Sequence, residues 1–316
     1  MIRATLSGVA VGEPRTNGLL QAVAPFDLIK SIRFLEGFGP CKGEQCTTET
    51  SLTKAIALDG HDIVFRATAT PDPTVVAYEL FAAAPIPADV IERAATAISD
   101  YFSMRDDLAE FSARAEEDHE NYAFITRALR GLHQVRFLTV SEIACWSVLS
   151  QRSYKSVALA AKHRLMDRFG HRVEVENAVY QAFPTTDELV TLRVEEWDTL
   201  VRNARKAATL VSLVAAIEEV GEDFLRTAPY EDAEAALRAV RGVGEWTAAA
   251  ILLRGLGRMD ECPISMDSFV KVAVEVYGPD VDLAAIKTHY GPQIGYWAYY
   301  LHSGMGALKA HLADCS

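Results

Sequence analysis

"ALRAVRGVGEWTAAAILLRGLG", residues 236–257, places Gly242-Val243-Gly244 between two stretches of helical periodicity. Ala235, Leu237 and Val240 fall on one face of the first stretch, and an alanine- and leucine-rich run from Glu245 to Leu256 forms the second. Two glycines around one valine supply the left-handed backbone angles a tight helix–helix turn needs. They also expose backbone N–H groups where the dipole of the second helix favours an anion. No positive side chain stands in that first turn, so anion binding here would be led by the backbone. A glycine-capped corner is the plainer reading of a bare G-x-G. What surrounds it decides the fold: Trp246 two residues on, then "CPISMDSFVKVAVEVYG" (262–278), with Asp267 four residues after Pro263.

The 316 residues, half of them hydrophobic, are enough for roughly two domains of about 150 residues. No apolar run reaches the ~18 residues of a membrane span, and the N-terminus lacks the apolar core of a signal peptide. The expected class is a soluble cytoplasmic protein. Its five cysteines are scattered, with no second pair after Cys41 and Cys46 at metal-ligand spacing, so reduced thiols are expected and no metal. A net charge of −12 argues against a nucleic-acid partner unless the charges are segregated. They are uneven: "DYFSMRDDLAEFSARAEEDHE" (100–120) holds eight acids against two arginines.

Residues 25–85 read as strand-rich. "DGHDIVFRATATPDPTVVAYELFA" alternates around Pro71-Asp72-Pro73, which predicts two antiparallel strands, and upstream "FGPCKGEQCTTETSLTKAIAL" (38–58) reads as a Gly-containing loop leading to another strand. From residue 88 the period is helical, with helices expected at 88–102, 121–133, 139–150, 155–169, 195–220, 231–241, 245–256 and 267–277, and an aromatic-rich helix at the end. The predicted class is α+β, mainly α. An antiparallel sheet subdomain with a flanking helix fills 1–99, and a helical domain of two subdomains with a cleft between them fills 100–316.

The hairpin, the Pro-containing loop and Asp267 together resemble the helix-hairpin-helix superfamily of DNA glycosylases. The resemblance extends through "GLHQVRFLTVSEIACWSVLSQRSYKSVALAAKHRLMDRFG" (131–170), "FPTTDELVTL" (183–192), "RNARKAATLVSLVAAI" (202–217) and "YGPQIGYWAYYLHSG" (290–304), and covers nearly all of the chain from about residue 22. It is nearest to the three-subdomain members, of the alkyladenine glycosylase II and 8-oxoguanine glycosylase types.

The resemblance implies a base-excision enzyme on double-stranded DNA that flips a damaged base out of the stack and cuts its N-glycosidic bond. Asp267 becomes the carboxylate that stabilises charge on the sugar, although Met-Asp-Ser is also sound N-cap chemistry for the following helix. Asp260 is a competing acid in a poorer position. Gly242, Val243 and Gly244 become the DNA-backbone contact. Trp246 stands where the bifunctional type carries a nucleophilic Lys, which implies a monofunctional enzyme using water.

Trp246, Ala250, Tyr154, Gln293 and Tyr296 are the expected base pocket, with Ala250 and Gln293 replacing aromatics of the alkyladenine type. Gln151 and Arg152 of "LSQRSY" match the segment that fills the gap left by the flipped base. Lys206 and Arg205 are phosphate contacts or a solvated face. The histidines show no ligand pattern, and His302 reads as solvated or core-capping. No cofactor is expected; a monovalent cation at the hairpin carbonyls belongs to the family pattern. The protein is expected to be a nucleoid-associated monomer with no membrane partner. Alkylated purines are the expected substrate, with oxidised or deaminated bases, or lesion binding without catalysis, as alternatives.

Overall fold

In the computed structural model, residues 9–314 are described; Cys315 and the first eight residues lie outside them. Five strands form an antiparallel sheet in the spatial order Glu13–Gln21, Val75–Ala82, His61–Ala69, Ser51–Leu58, Gln45–Thr47. The expected hairpin around Pro71-Asp72-Pro73 pairs Ala69 with Val76 and Val64 with Phe81. Leu52, Ile56, Ile63, Phe65, Val76 and Leu80 bury one face of the sheet. Against that face pack the helices Leu28–Glu36 and Ala88–Tyr101, through Leu28, Ile32, Leu35, Val90, Ala94 and Ile98.

Two of these elements go beyond the sequence reading. The edge strand Glu13–Gln21 has no clean alternation, and its register shifts between Pro14 and Thr16, which suits a proline confined to a sheet edge. The helix Leu28–Glu36 lies inside the stretch read as strand-rich. Its start is capped by Asp27, whose carboxylate accepts from the Ile29 N–H at 2.9 Å.

The remaining helices gather around two further cores. One joins the helices Val140–Leu149, Lys155–Phe169, Val194–Val201, Ala204–Val220, Tyr230–Arg238 and Glu245–Leu256. The other joins Ala109–Glu116, Glu120–Ala128, Asp267–Tyr277, Leu283–Tyr290 and Ile294–Ser303. Within the first, Gly255 lets the hairpin's second helix close on Val140–Leu149, since a β-carbon there would stand 2.7 Å from Ile143 Cγ2. The stretch expected to be one helix over 195–220 breaks at Arg202, which takes φ +57°, and Asn203 caps the restart by accepting from the Lys206 N–H.

A strand pair also interrupts the helical domain: Arg172–Val175 and Ala178–Gln181 join through Glu176 and Asn177, both with positive φ. Ala10–Val11 adds in parallel to this pair, and Val173, Val175 and Tyr180 cover the other face of the large sheet through Ala55, Ala57, Val64 and Phe81.

A buried ion cluster ties the sheet to the first helical core. Lys162 Nζ donates to the carboxylates of Glu142 at 2.6 Å and Glu44 at 2.7 Å, and to the Pro40 carbonyl at 2.8 Å. Lys54 reaches Glu44 at 3.3 Å and Glu142 at 4.0 Å. Burial alone would lower the Lys162 ammonium's pKa and raise the Glu142 carboxyl's. The opposite charges outweigh it, holding Lys162 above its ordinary value and Glu142 below. Cys41, Glu44 and Glu142 have ligand atoms close enough for a metal ion, but the two ammonium groups already occupy that space.

Candidate active site and DNA-facing surface

The hairpin sits where the two helical cores meet. Helix Tyr230–Arg238 leads into the turn, Gly242 takes φ +96°, and helix Glu245–Leu256 begins after Gly244. A β-carbon at Gly242 would collide with Thr209 Oγ1, so both the backbone angle and the close approach require glycine there. Gly244 differs: its backbone is extended, and nothing lies within 4 Å of where its β-carbon would be. The N–H groups of Gly244, Glu245, Trp246 and Thr247 donate to no described acceptor, leaving an open anion-binding end. The carbonyls of Arg241 and Gly242 accept from Thr209 and from Gln151.

Asp267 is the first residue of its helix and not its cap. Met266 holds the cap position without a side-chain bond. The Asp267 carboxylate is exposed, with no hydrogen bond or ion pair to any described residue. Asp260, the competing acid, is held in a two-point pair with Arg258, at 3.0 and 2.7 Å. Two residues after Asp267, the Phe269 ring packs against Trp246 with centroids 5.9 Å apart. The first turns of the two helices therefore abut, one bringing free amides and the other a free carboxylate. Trp246 is 46% exposed, although its ring packs on Phe269.

Ala250 and Leu253 continue the Trp246 face of the helix, one and two turns on. Gly295, two residues after Gln293, closes on Leu253, and its N–H donates to the Met259 carbonyl at 2.9 Å. The Oε1 of Gln293 is buried without a donor. His302, which sequence reasoning set aside, lies edge-on to Phe269 at 4.9 Å, and burial pushes its imidazole below the usual histidine value. One other expected pocket residue lies elsewhere. Tyr296 is buried in the second helical core, its hydroxyl donating to Asp106 and its ring 5.7 Å from Phe111. Tyr154 is 84% exposed, beside Arg152.

The "LSQRSY" loop is locked onto the hairpin. Gln151 Nε2 donates to the Gly242 carbonyl at 3.2 Å and to Thr247 Oγ1 at 2.9 Å. Lys206 grips the loop's other side through the Leu149 carbonyl, 2.6 Å, and Ser153 Oγ, 2.7 Å. Lys206 is thus a clamp, and Arg205 beside it is the exposed cation. Arg152 has φ +47°, a left-handed angle uncommon outside glycine, asparagine and aspartate, and its guanidinium meets no described acceptor.

These contacts draw three acid-free stretches together: residues 143–166, 199–217 and 235–244. Arg152, Lys155, Arg202, Arg205 and Arg241 are exposed there, each without a carboxylate partner among the described residues. An acidic chain thus carries a segregated positive face. Elsewhere, a cleft of about 940 Å³ is lined by Asp59, Asp62, Asp100, Asp187, Glu188 and Glu222 together with Arg93, Arg136 and Arg226.

A glycine hairpin with an unpaired carboxylate against its second helix and a basic rim defines the class by its architecture: a helix-hairpin-helix protein with open amides at the turn. No family model matches the chain. It is similar in sequence to the DNA-3-methyladenine glycosylase of Bacillus subtilis (strain 168), 26% identical over 161 residues, or 50% of this chain. The chain spans about half the length of that relative, 53%. In fold it is similar to the 3-methyladenine DNA-glycosylase of Archaeoglobus fulgidus, TM-score 0.73 at 18% identity, covering 90% of this chain and 97% of that one. The apo 8-oxoguanine glycosylase/lyase of Clostridium acetobutylicum gives 0.66 at 18%, covering 94% and 99%. The chain therefore has the fold of these glycosylases. No helix among the described residues is long and apolar enough to cross a membrane.

Proposed function

We propose that the chain is a monofunctional DNA N-glycosylase that removes a damaged, alkylated purine from double-stranded DNA and leaves an abasic site. The observation that carries this is the exposed, unpaired Asp267 carboxylate on a helix turn packed against the open amides of the hairpin. A carboxylate near phosphates needs a reason, and a sugar that becomes cationic supplies one.

In this reading the N–H groups of Gly244 to Thr247 and the turn Gly242–Val243–Gly244 hold a backbone phosphate beside the lesion. Arg152, on its pinned loop, fills the gap the base vacates. The flipped base lies against Trp246 in the space that Ala250 leaves open. As the C1′–N bond breaks, its electron pair leaves with the base, and Asp267 stabilises the positive charge on the sugar. Water bonds to C1′ and loses its proton toward Asp267. Trp246 has no amine, so no Schiff base forms and the strand stays intact.

A purine alkylated on a ring nitrogen such as N3 or N7 is cationic before cleavage, which favours a tryptophan face. The enzyme acts as a monomer in the cytoplasm, on nucleoid DNA, without a cofactor. A second reading, an oxidised or deaminated base, is favoured by the Gln293 amide oxygen, a buried acceptor that suits a neutral ring offering an N–H.

The test is release of base from duplexes carrying defined alkylated, oxidised or deaminated purines, followed by alkaline cleavage of abasic sites. The expected result is strand breaks only after alkali, with Asp267→Asn slower by about 10²–10³-fold, the size typical of removing one preorganised charge-stabilising group. DNA binding without release of any base would establish a lesion binder instead.

A further inference from the structure

Tyr154 is the most exposed of the large apolar side chains on the described surface, at 84%, and it stands on one of the most firmly tethered loops. Gln151 fastens that loop to the hairpin and Lys206 fastens its other end. Its own carbonyl accepts from the N–H groups of Val157 and Ala158 at the start of helix Lys155–Phe169. Val157, one turn along, is 53% exposed, whereas Ala158 beside it is buried. A rigid backbone therefore holds out a short apolar ridge, Tyr154 and Val157, with Arg152 and Lys155 unpaired beside it. Aromatic area left in water at a fixed position is a pattern of recognition surfaces. Cations on both sides make the complementary surface an anionic one with apolar faces inside, which describes a duplex whose base steps can be opened.

We infer that Tyr154, backed by Val157, is a second prong that enters the base stack next to the gap filled by Arg152. This rests on the glycosylase reading and assigns Tyr154 to the duplex rather than to the base pocket. The dimensions agree: two residues of chain span at most about 7 Å, and successive base pairs are about 3.4 Å apart, so Tyr154 meets a base step one or two removed from the gap. The ring stacks on that step while Lys155 meets the adjoining phosphate. A stacked aromatic tolerates every base, so the contact supports extrusion without reading sequence.

The test uses the full chain and a duplex with a tetrahydrofuran abasic analogue flanked by 2-aminopurine. That duplex has no base to place in the pocket, so a pocket wall and a stack-entering prong respond differently. If Tyr154 is the prong, Tyr154→Ala weakens binding about tenfold, within the range for one lost base–aromatic stack, and abolishes the change in 2-aminopurine fluorescence on binding. Tyr154→Phe keeps both, because the ring and not the hydroxyl acts. The side chain is exposed, so the alanine variant keeps the wild-type melting temperature.

Unchanged binding and fluorescence in Tyr154→Ala, with slower excision of a damaged base at saturating enzyme, would overturn the inference and return Tyr154 to the pocket. A wild-type protein that holds abasic and intact duplex equally and releases no base would overturn the glycosylase reading, and the prong with it.

Discussion

The seam beneath the sheet and the face around the hairpin use the same residue types for opposite ends. At the seam, Lys54, Lys162, Glu44 and Glu142 are almost wholly buried, and each ammonium meets two carboxylates. At the hairpin, Arg152, Lys155, Arg202, Arg205, Arg241 and Asp267 are exposed, and none has an opposite charge beside it among the described residues. Desolvated charges must be matched inside the protein or the fold fails. Solvated charges can be left unmatched, and in the proposed reading this keeps them available to a phosphate backbone and a developing cation. Pairing, more than residue type, separates the two sets of charge in this molecule. Asp260 and Asp267 repeat the lesson seven residues apart, one locked to Arg258 and the other free.

The largest effect that tests this contrast belongs to the seam. Lys162→Met leaves Glu142 and Glu44 buried with only Lys54 to share, and should cost about 3–5 kcal/mol. The thermal midpoint, followed by circular dichroism, should fall by on the order of 10 °C. Adding Glu142→Leu should recover part of the loss, since removing both members of a buried pair is milder than removing one. A Lys162→Met protein with an unchanged midpoint and lost DNA binding would break the comparison, because the seam would then serve the ligand.

An intermediate effect separates the two glycines of the hairpin. Gly242→Ala puts a side chain at φ +96° and against Thr209, and should destabilise by about 2–3 kcal/mol. Gly244→Ala has allowed angles and open space, so its melting curve should match wild type within about 0.5 kcal/mol. The added methyl nevertheless sits on the face offered to phosphate, so duplex binding should weaken severalfold. Equal losses of stability in the two variants would mean that Gly244 is packed and not reserved for DNA.

Which parts were readable from the sequence follows from how local their causes are. The hairpin is written in adjacent residues, since two glycines and a change of periodicity determine a turn without reference to the rest of the chain. Asp267 stands out because a proline and a helix start surround it, although only the structure separates a free carboxylate from a cap. The strand pair at 172–181 was equally local: Val173 and Val175 alternate with Arg172 and Glu174 before the turn at Glu176-Asn177. It was passed over inside a helical stretch.

The positive face was not readable. Arg152, Arg205 and Arg241 lie far apart in sequence, and their meeting depends on Gln151, Lys206 and Thr209 forming contacts across the fold. Glu44 and Lys162 are likewise 118 residues apart. Tyr296 and Tyr154 show the same limit for aromatics, since helical spacing cannot say which tyrosine is buried and which stands in water. His302 was set aside because histidine was weighed as a metal ligand, when its surroundings on Phe269 are aromatic.

The smallest effect gives the most direct measure of what the unpaired cations are for. Arg205 and Arg241 touch no described carboxylate, so removing both should leave the fold and its melting temperature alone. If each neutralises one phosphate, Arg205→Ala/Arg241→Ala should lower the slope of log K against log salt by about 0.9 per residue, or about 1.8 in all. Binding should weaken to the same degree for every duplex sequence, because a phosphate contact reads none. Arg93 is the matched control: it is exposed but paired with Asp59 on the wall of the acidic cleft, and Arg93→Ala should leave the slope as it is. A slope that moved with Arg93 and not with Arg205 and Arg241 would place the DNA on the cleft side. The unpaired cations around the hairpin would then be no more than a solvated surface.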